Sequence, residues 1–132
     1  MTILTDYRYG LTKENETLKD LKKKFGDNIE KTKGKFNRFD FTNGETLIEL
    51  KSRRCYSNTY PDTMVGLNKY MYAMKNRDKE IIFCFNFNDG LFYHTFNPSL
   101  MYDMRKGGRT DRGKEELKDY FFIKTEHLTK IT

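Results

Sequence analysis

Asp40, Glu49 and Lys51 stand within the run Arg38-Phe39-Asp40-Phe41-Thr42-Asn43-Gly44-Glu45-Thr46-Leu47-Ile48-Glu49-Leu50-Lys51. Two carboxylates beside an ammonium can gather a hard cation, a water and an anionic ester, provided that one surface carries all three. A hairpin would provide that surface. Asn43-Gly44 is a strong hairpin signal, because both central residues of a type I′ turn take positive φ. With those two as the turn, Thr42 faces Glu45, Asp40 faces Leu47 and Arg38 faces Glu49, and directly paired residues project to the same side. Asp40, Glu49 and Lys51 then share a face, with Asp40 and Glu49 as diagonal neighbours about 7–8 Å apart. Phe39, Phe41, Ile48 and Leu50 take the opposite, apolar face.

The surrounding elements must hold that hairpin. Residues 13–26 predict an amphipathic helix, since Leu11, Leu18, Leu21 and Phe25 recur at helical spacing and Gly26 is a natural stop. Glu14 falls between Leu18 and Leu21 in angular position and is turned inward, while Glu16 projects to the far side. The hairpin spans 36–52, a loop covers Ser57 to Asp62, and a second helix is expected over 62–76. Met64, Leu67, Met71 and Met74 form its apolar side, with Asn68 and Lys69 near the edge. Glu80 to Phe87 reads as a strand, Asn88-Asp89-Gly90 as a turn and Leu91 to Phe96 as its partner, with a last strand from Tyr120 to Lys124. Between them, Arg105 to Lys118 is rich in Gly, Arg and Lys and reads as a loop or a short helix.

A chain of 132 residues is expected to form one domain over 1–132, with no repeat or linker to divide it. The net charge of +6 favours a polyanionic partner. No stretch reads as a signal peptide or a membrane span, so the expectation is a soluble, intracellular, cytoplasmic protein with no membrane partner. Cys55 and Cys84 form no CxxC pair and have no metal-ligand spacing with His94 or His127, so both read as reduced thiols. Without a secretory route, the glycosylation match at Asn15-Glu16-Thr17 carries no meaning.

An Asp, then Glu-x-Lys on the next strand, with an inward Glu on a preceding helix, resembles the PD-(D/E)xK nuclease superfamily. The likeness covers most of the chain as an order of elements. It implies an α/β fold with a mixed, mainly antiparallel central sheet flanked by helices, as in restriction endonucleases. It also implies that Asp40, Glu49 and Glu14 bind a divalent metal, and that Lys51 orients or helps deprotonate the attacking water. Cleavage of this type leaves a 5′-phosphate and a 3′-hydroxyl. Phe39 stands where the motif's proline would be, and Lys69 with Tyr70 is similar to the fourth motif of the exonuclease branch. Ile48-Glu49-Leu50-Lys51-Ser52-Arg53-Arg54 also resembles the corresponding strand of archaeal Holliday-junction resolvases. Magnesium suits such a site, with manganese substituting, because it takes hard oxygen ligands while keeping several waters.

Each residue also has a plainer reading. Asp40, Glu49 and Lys51 would then be a solvated hairpin face, Glu14 an ion-pair partner of Arg38 or Lys51, and Lys69 an exposed helix lysine. Arg53, Arg54, Lys69, Arg105, Lys106, Arg109 and Arg112 are either solvated surface or phosphate contacts in a nucleic-acid groove. Tyr56, Tyr60 and Tyr72 either stack on bases or pack in the core. His94 reads as packed or hydrogen-bonded and His127 as surface. The function these readings support is metal-dependent hydrolysis of phosphodiester bonds in nucleic acid, most of all DNA, branched or structured substrates included. The alternative is a nucleic-acid-binding module that keeps the fold without catalysis. A homodimer is expected if the substrate needs two cuts, and the aromatic strands at 81–87 and 91–96 serve either that interface or the core.

Overall fold

In the computed structural model, residues 3–33, 39–107 and 118–132 are described, with side chains from Glu14 onward. Helix α1 spans Ile3–Phe25, ten residues more at its start than the leucine spacing predicts. Two-residue strands β1 (Glu30–Lys31) and β2 (Phe41–Thr42) lead into β3 (Thr46–Ser52). Then come β4 (Asp62–Gly66), α2 (Leu67–Lys75), β5 (Glu80–Phe87) and β6 (Gly90–Thr95). The described chain closes with β7 (Asp103–Gly107), β8 (Lys118–Lys124), a short 3₁₀ turn (Thr125–His127) and β9 (Thr129–Lys130).

The main sheet runs β1-β2-β3-β5-β6-β9, with β3 and β5 parallel and the other neighbours antiparallel. This is the expected α/β fold with a mixed, mainly antiparallel sheet. Strand β5 is central, and its alternation fixes both faces. Ile82 and Cys84 point to the side covered by Leu18, Leu21 and Phe25 of α1, together with Phe41 and Ile48. Ile81, Phe83, Phe85 and Phe87 point to the other side, against Ala73 of α2 and Val65, Phe121 and Ile123 of a second sheet, β4-β8-β7. Phe83 and Phe85 are fully enclosed, so β5 is spent on the core; truncating either ring to alanine would cost about 3–5 kcal/mol.

Three expectations are corrected here. Asp62 to Gly66 is a strand, not the start of a helix: Thr63 and Val65 are buried alternately and pair with Ile123 and Phe121 of β8. Arg105 and Lys106 lie on strand β7, not in a loop or helix. The Asn43-Gly44 turn is not type I′, since no described non-glycine residue has positive φ. Instead the Asn43 side-chain oxygen accepts the Glu45 and Thr46 N–H groups, at 3.0 and 2.7 Å, while Gly44 takes φ +96°. The loop is therefore two residues longer, with Phe41 opposite Ile48 and Thr42 opposite Leu47. A shift of two keeps the faces of β3 unchanged, because side chains alternate with period two.

Candidate active site

Asp40 sits where the regular ladder of β2 ends. Its N–H donates to the Ile48 carbonyl at 2.9 Å, although Phe41 is the residue that opposes Ile48, so two residues face one as in a bulge. Upstream of that point the alternation slips by one residue. Phe39 consequently packs against Tyr72 and Phe83 on the face that carries Glu49, not with Phe41 as the hairpin pattern predicts. The bulge also turns the Asp40 carboxylate across β3, where it accepts the Leu50 N–H at 2.8 Å. The Asp40 carbonyl is fixed as well, accepting the Thr32 N–H at 3.0 Å.

Glu49 lies in the middle of β3, level with Phe83 of β5, and is only 6% exposed. An acid on this apolar face requires partners. Its carboxyl hydrogen-bonds to that of Asp40, and the Lys69 ammonium lies 2.9 Å away. The pKa of Glu49 is raised from 4.5 to about 7, first by burial, then by the hydrogen bond to Asp40, with Lys69 opposing the rise. The charge of Asp40 pushes the same way as burial. Neighbouring acids that resist joint ionisation are a frequent mark of functional sites.

Lys69 is the third residue of α2. That helix begins at Leu67, so Lys69 stands in its first turn and reaches Glu49 of β3 instead of a solvated edge. Its ammonium is also 4.7 Å from the centre of the Phe39 ring, and its side chain is 15% exposed. The plainer reading of Lys69 as an exposed lysine therefore fails. Lys51 follows Glu49 by two residues on the same face, level with Phe85, is half-buried, and has no salt bridge to a described residue.

Glu14 is placed differently. It lies on α1, on the opposite face of the sheet, and pairs with Lys31 at 3.6 Å. Among the described residues no three His, Cys, Asp or Glu side chains gather as a metal site would need, so Asp40 and Glu49 come together without Glu14. Two carboxylates still fit a magnesium ion, which binds through one or two such groups and completes its octahedron with water and substrate phosphate.

The basic residues divide. Arg53 donates to the Met64 carbonyl at 2.7 Å and to the Thr63 hydroxyl at 3.5 Å, tying β3 to β4, and burial lowers its pKa. Arg54 is exposed. Arg105 is paired with Asp62 and lies 3.8 Å over the Phe122 ring, and Lys106 pairs with Asp119 at 3.8 Å. Arg109 and Arg112 lie outside the described residues. His94 is packed as expected: its Nδ1 is 3.1 Å from the His127 carbonyl and its Nε2 is 2.7 Å from the Tyr102 hydroxyl. A carbonyl only accepts, so Nδ1 carries the proton and the Tyr102 O–H donates to Nε2. Burial lowers its pKa, consistent with a neutral ring.

No helix among the described residues is long and apolar enough to cross a membrane. No curated protein matches the chain, and no solved structure matches it. One family model does, over residues 11–128, under the description "Phage putative PDDEXK endonuclease". That span holds Asp40, Glu49, Lys51 and Lys69. The chain belongs to this PDDEXK endonuclease family of the PD-(D/E)xK nuclease superfamily.

Proposed function

We propose that the protein is a divalent-metal-dependent nuclease acting on DNA, with Asp40 and Glu49 as metal ligands and Lys51 and Lys69 as the cations of the site. One observation carries this reading: the buried Glu49 carboxylate is set against that of Asp40, with the Lys69 ammonium 2.9 Å away, and burial raises its pKa. Such an arrangement costs stability in the metal-free protein and is relieved by a cation, which is the expected signature of a binding site. Magnesium or manganese, when bound, would activate water and offset charge on the phosphate.

The chain's own residues have separable tasks. Asp40 is preset by the Leu50 N–H, so its free oxygen is aimed without further ordering. Lys69 holds Glu49 towards its ionised form, which is the form a cation needs. Lys51, which no described carboxylate neutralises, would orient water and hold a non-bridging phosphate oxygen. Arg54, and Arg109 and Arg112 by their place in the sequence, contribute phosphate contacts that fix the duplex or branched substrate. A homodimer would supply the second cut at a branch, since one centre serves one strand.

The alternative, a binding module without catalysis, is favoured by the Lys69–Glu49 contact, since Lys69 already compensates the buried acid. Incubating the protein with supercoiled plasmid, branched DNA, single strands and RNA, in magnesium, manganese or chelator, separates the two. Cleavage of DNA in metal and none in chelator supports the nuclease. Binding without cleavage under every condition supports the module.

A further inference from the structure

Beyond Ser52 the chain continues beside the end of β5. The Arg53 N–H donates to the Asn86 carbonyl and the Asn88 N–H to the Cys55 carbonyl, both at 2.9 Å, stitching residues 53–55 to the end of β5. The following turn is pinned by Ser57, whose N–H and hydroxyl both donate to the Asp89 carboxylate at 2.8 and 2.6 Å. Within it the Thr59 N–H donates to the Tyr56 carbonyl, and the Tyr56 N–H to the Thr59 hydroxyl. The backbone carrying Tyr56 and Tyr60 is thus held, yet their side chains are 57% and 62% exposed.

These two rings border a cavity of about 460 Å³ between the end of β3 and the small sheet, lined also by Phe87, Phe122, Arg53 and Arg105. The volume is that of a small-molecule or nucleotide site. Its charged groups are two guanidiniums against one carboxylate, Asp62, so the cavity is net positive. Arg53 in particular spends its donors on a carbonyl and a hydroxyl, which leave its charge uncompensated. Aromatic faces beside the unneutralised Arg53 guanidinium, with Arg105 already paired to Asp62, suit a flat, apolar-faced ring attached to an anion.

The location narrows the ligand. Arg53 lies four residues beyond Glu49 along β3, about 13 Å at 3.3 Å per residue. That is about four stacked nucleotides at 3.4 Å each, and fewer where a strand is extended. We propose that this cavity receives an unstacked base of the substrate strand, with Tyr56 and Tyr60 stacking on the ring and Arg53 and Arg105 holding its phosphate. This rests on the nuclease reading for its substrate class, and it makes an unpaired or distorted strand near the cut the preferred target. A base in a continuous duplex is already stacked and must be extracted first.

The test is binding in chelator, which does not depend on cleavage. A fluorescein-labelled thymidine 12-mer is compared with a 12-mer of abasic residues that carries the same phosphates. Wild type should bind the thymidine strand about 10-fold more tightly, the range expected for base stacking on aromatic side chains. Tyr56→Ala with Tyr60→Ala should remove that gap and leave abasic binding unchanged. Since both side chains are exposed, the double variant should melt with wild type, and Tyr56→Leu with Tyr60→Leu provides a check that retains apolar bulk. Equal binding of the two strands by wild type, or a gap that survives both double variants, overturns the proposal. A base-dependent gap in a protein that never cleaves keeps the cavity and removes the nuclease reading. Cleavage without a gap does the reverse.

Discussion

Replacing Asp40 with asparagine should stabilise the metal-free protein at alkaline pH and destabilise it once a divalent ion is present. Glu49 has a pKa of about 7 in the folded protein against an ordinary 4.5. The native state therefore holds a proton that the unfolded chain has released, so this group's contribution is fully present below about pH 4.5 and is lost as pH rises through about 7. A shift of that size corresponds to at most about 3–4 kcal/mol. Burial is the largest cause and Asp40 the next, so relieving Asp40 should recover only part of that total, on the order of 1 kcal/mol. Asparagine keeps an oxygen for the Leu50 N–H and offers Glu49 a donor in place of a second acid. In chelator at pH 8, Asp40→Asn should melt about 3 °C above wild type, and at pH 5, where Glu49 is protonated, the gap should close. With magnesium or manganese at a hundredfold excess over Kd, only wild type gains about 2.7 kcal/mol, which reverses the order. Differential scanning calorimetry across pH and metal concentration reads all three. Curves that stay parallel through the metal titration, with no pH-dependent crossing, would refute the strained-pair argument.

Other substitutions probe the two lysines and the proton. Lys51→Ala should lower turnover by about 100-fold while leaving metal-dependent stabilisation intact, and Lys51→Arg should not restore it, because the guanidinium has a different shape and does not lose its proton. Wild-type rates in the arginine variant, measured on a fluorescent duplex, would show that charge alone suffices. Lys69→Met removes the group that opposes the rise in Glu49, so the carboxyl resonance followed by NMR should titrate above pH 7; an unchanged midpoint would mean that the contact is not electrostatically significant. Because a proton competes for Glu49, the apparent metal Kd measured by calorimetry should rise about tenfold per unit as pH falls below 7, and a flat profile would remove Glu49 from the ligand set.

The hairpin was legible because its evidence is local. Alternation between Thr46 and Ser52 places Glu49 and Lys51 together whatever the turn, and the two-residue shift caused by the Asn43 side chain leaves that parity intact. Strand β5 and its return β6 were legible for the same reason. Strand β4 was not, since its partner β8 lies far along the chain, and the methionines and leucine at 64, 67, 71 and 74 mimic one helix across what is a strand followed by a helix. That misreading hid Lys69: only a helix beginning at Leu67 brings it to Glu49. The bulge at Asp40 was equally hidden, because it depends on a carboxylate taking a backbone N–H across β3. Glu14 illustrates the converse, since its inward angle on an isolated helix does not say which face of the sheet the helix will cover.

The central claim is that Asp40 and Glu49 form a metal-dependent cleavage centre, and Glu49→Gln tests it most directly. The substitution preserves shape and can hydrogen-bond to Asp40, but it removes the ionisable ligand. Wild type and variant should be compared on branched and linear DNA in magnesium, with DNA binding measured in parallel by gel shift. The account predicts cleavage by wild type that stops in chelator, no cleavage by Glu49→Gln, and equal DNA affinity. Undiminished cleavage by Glu49→Gln would contradict it.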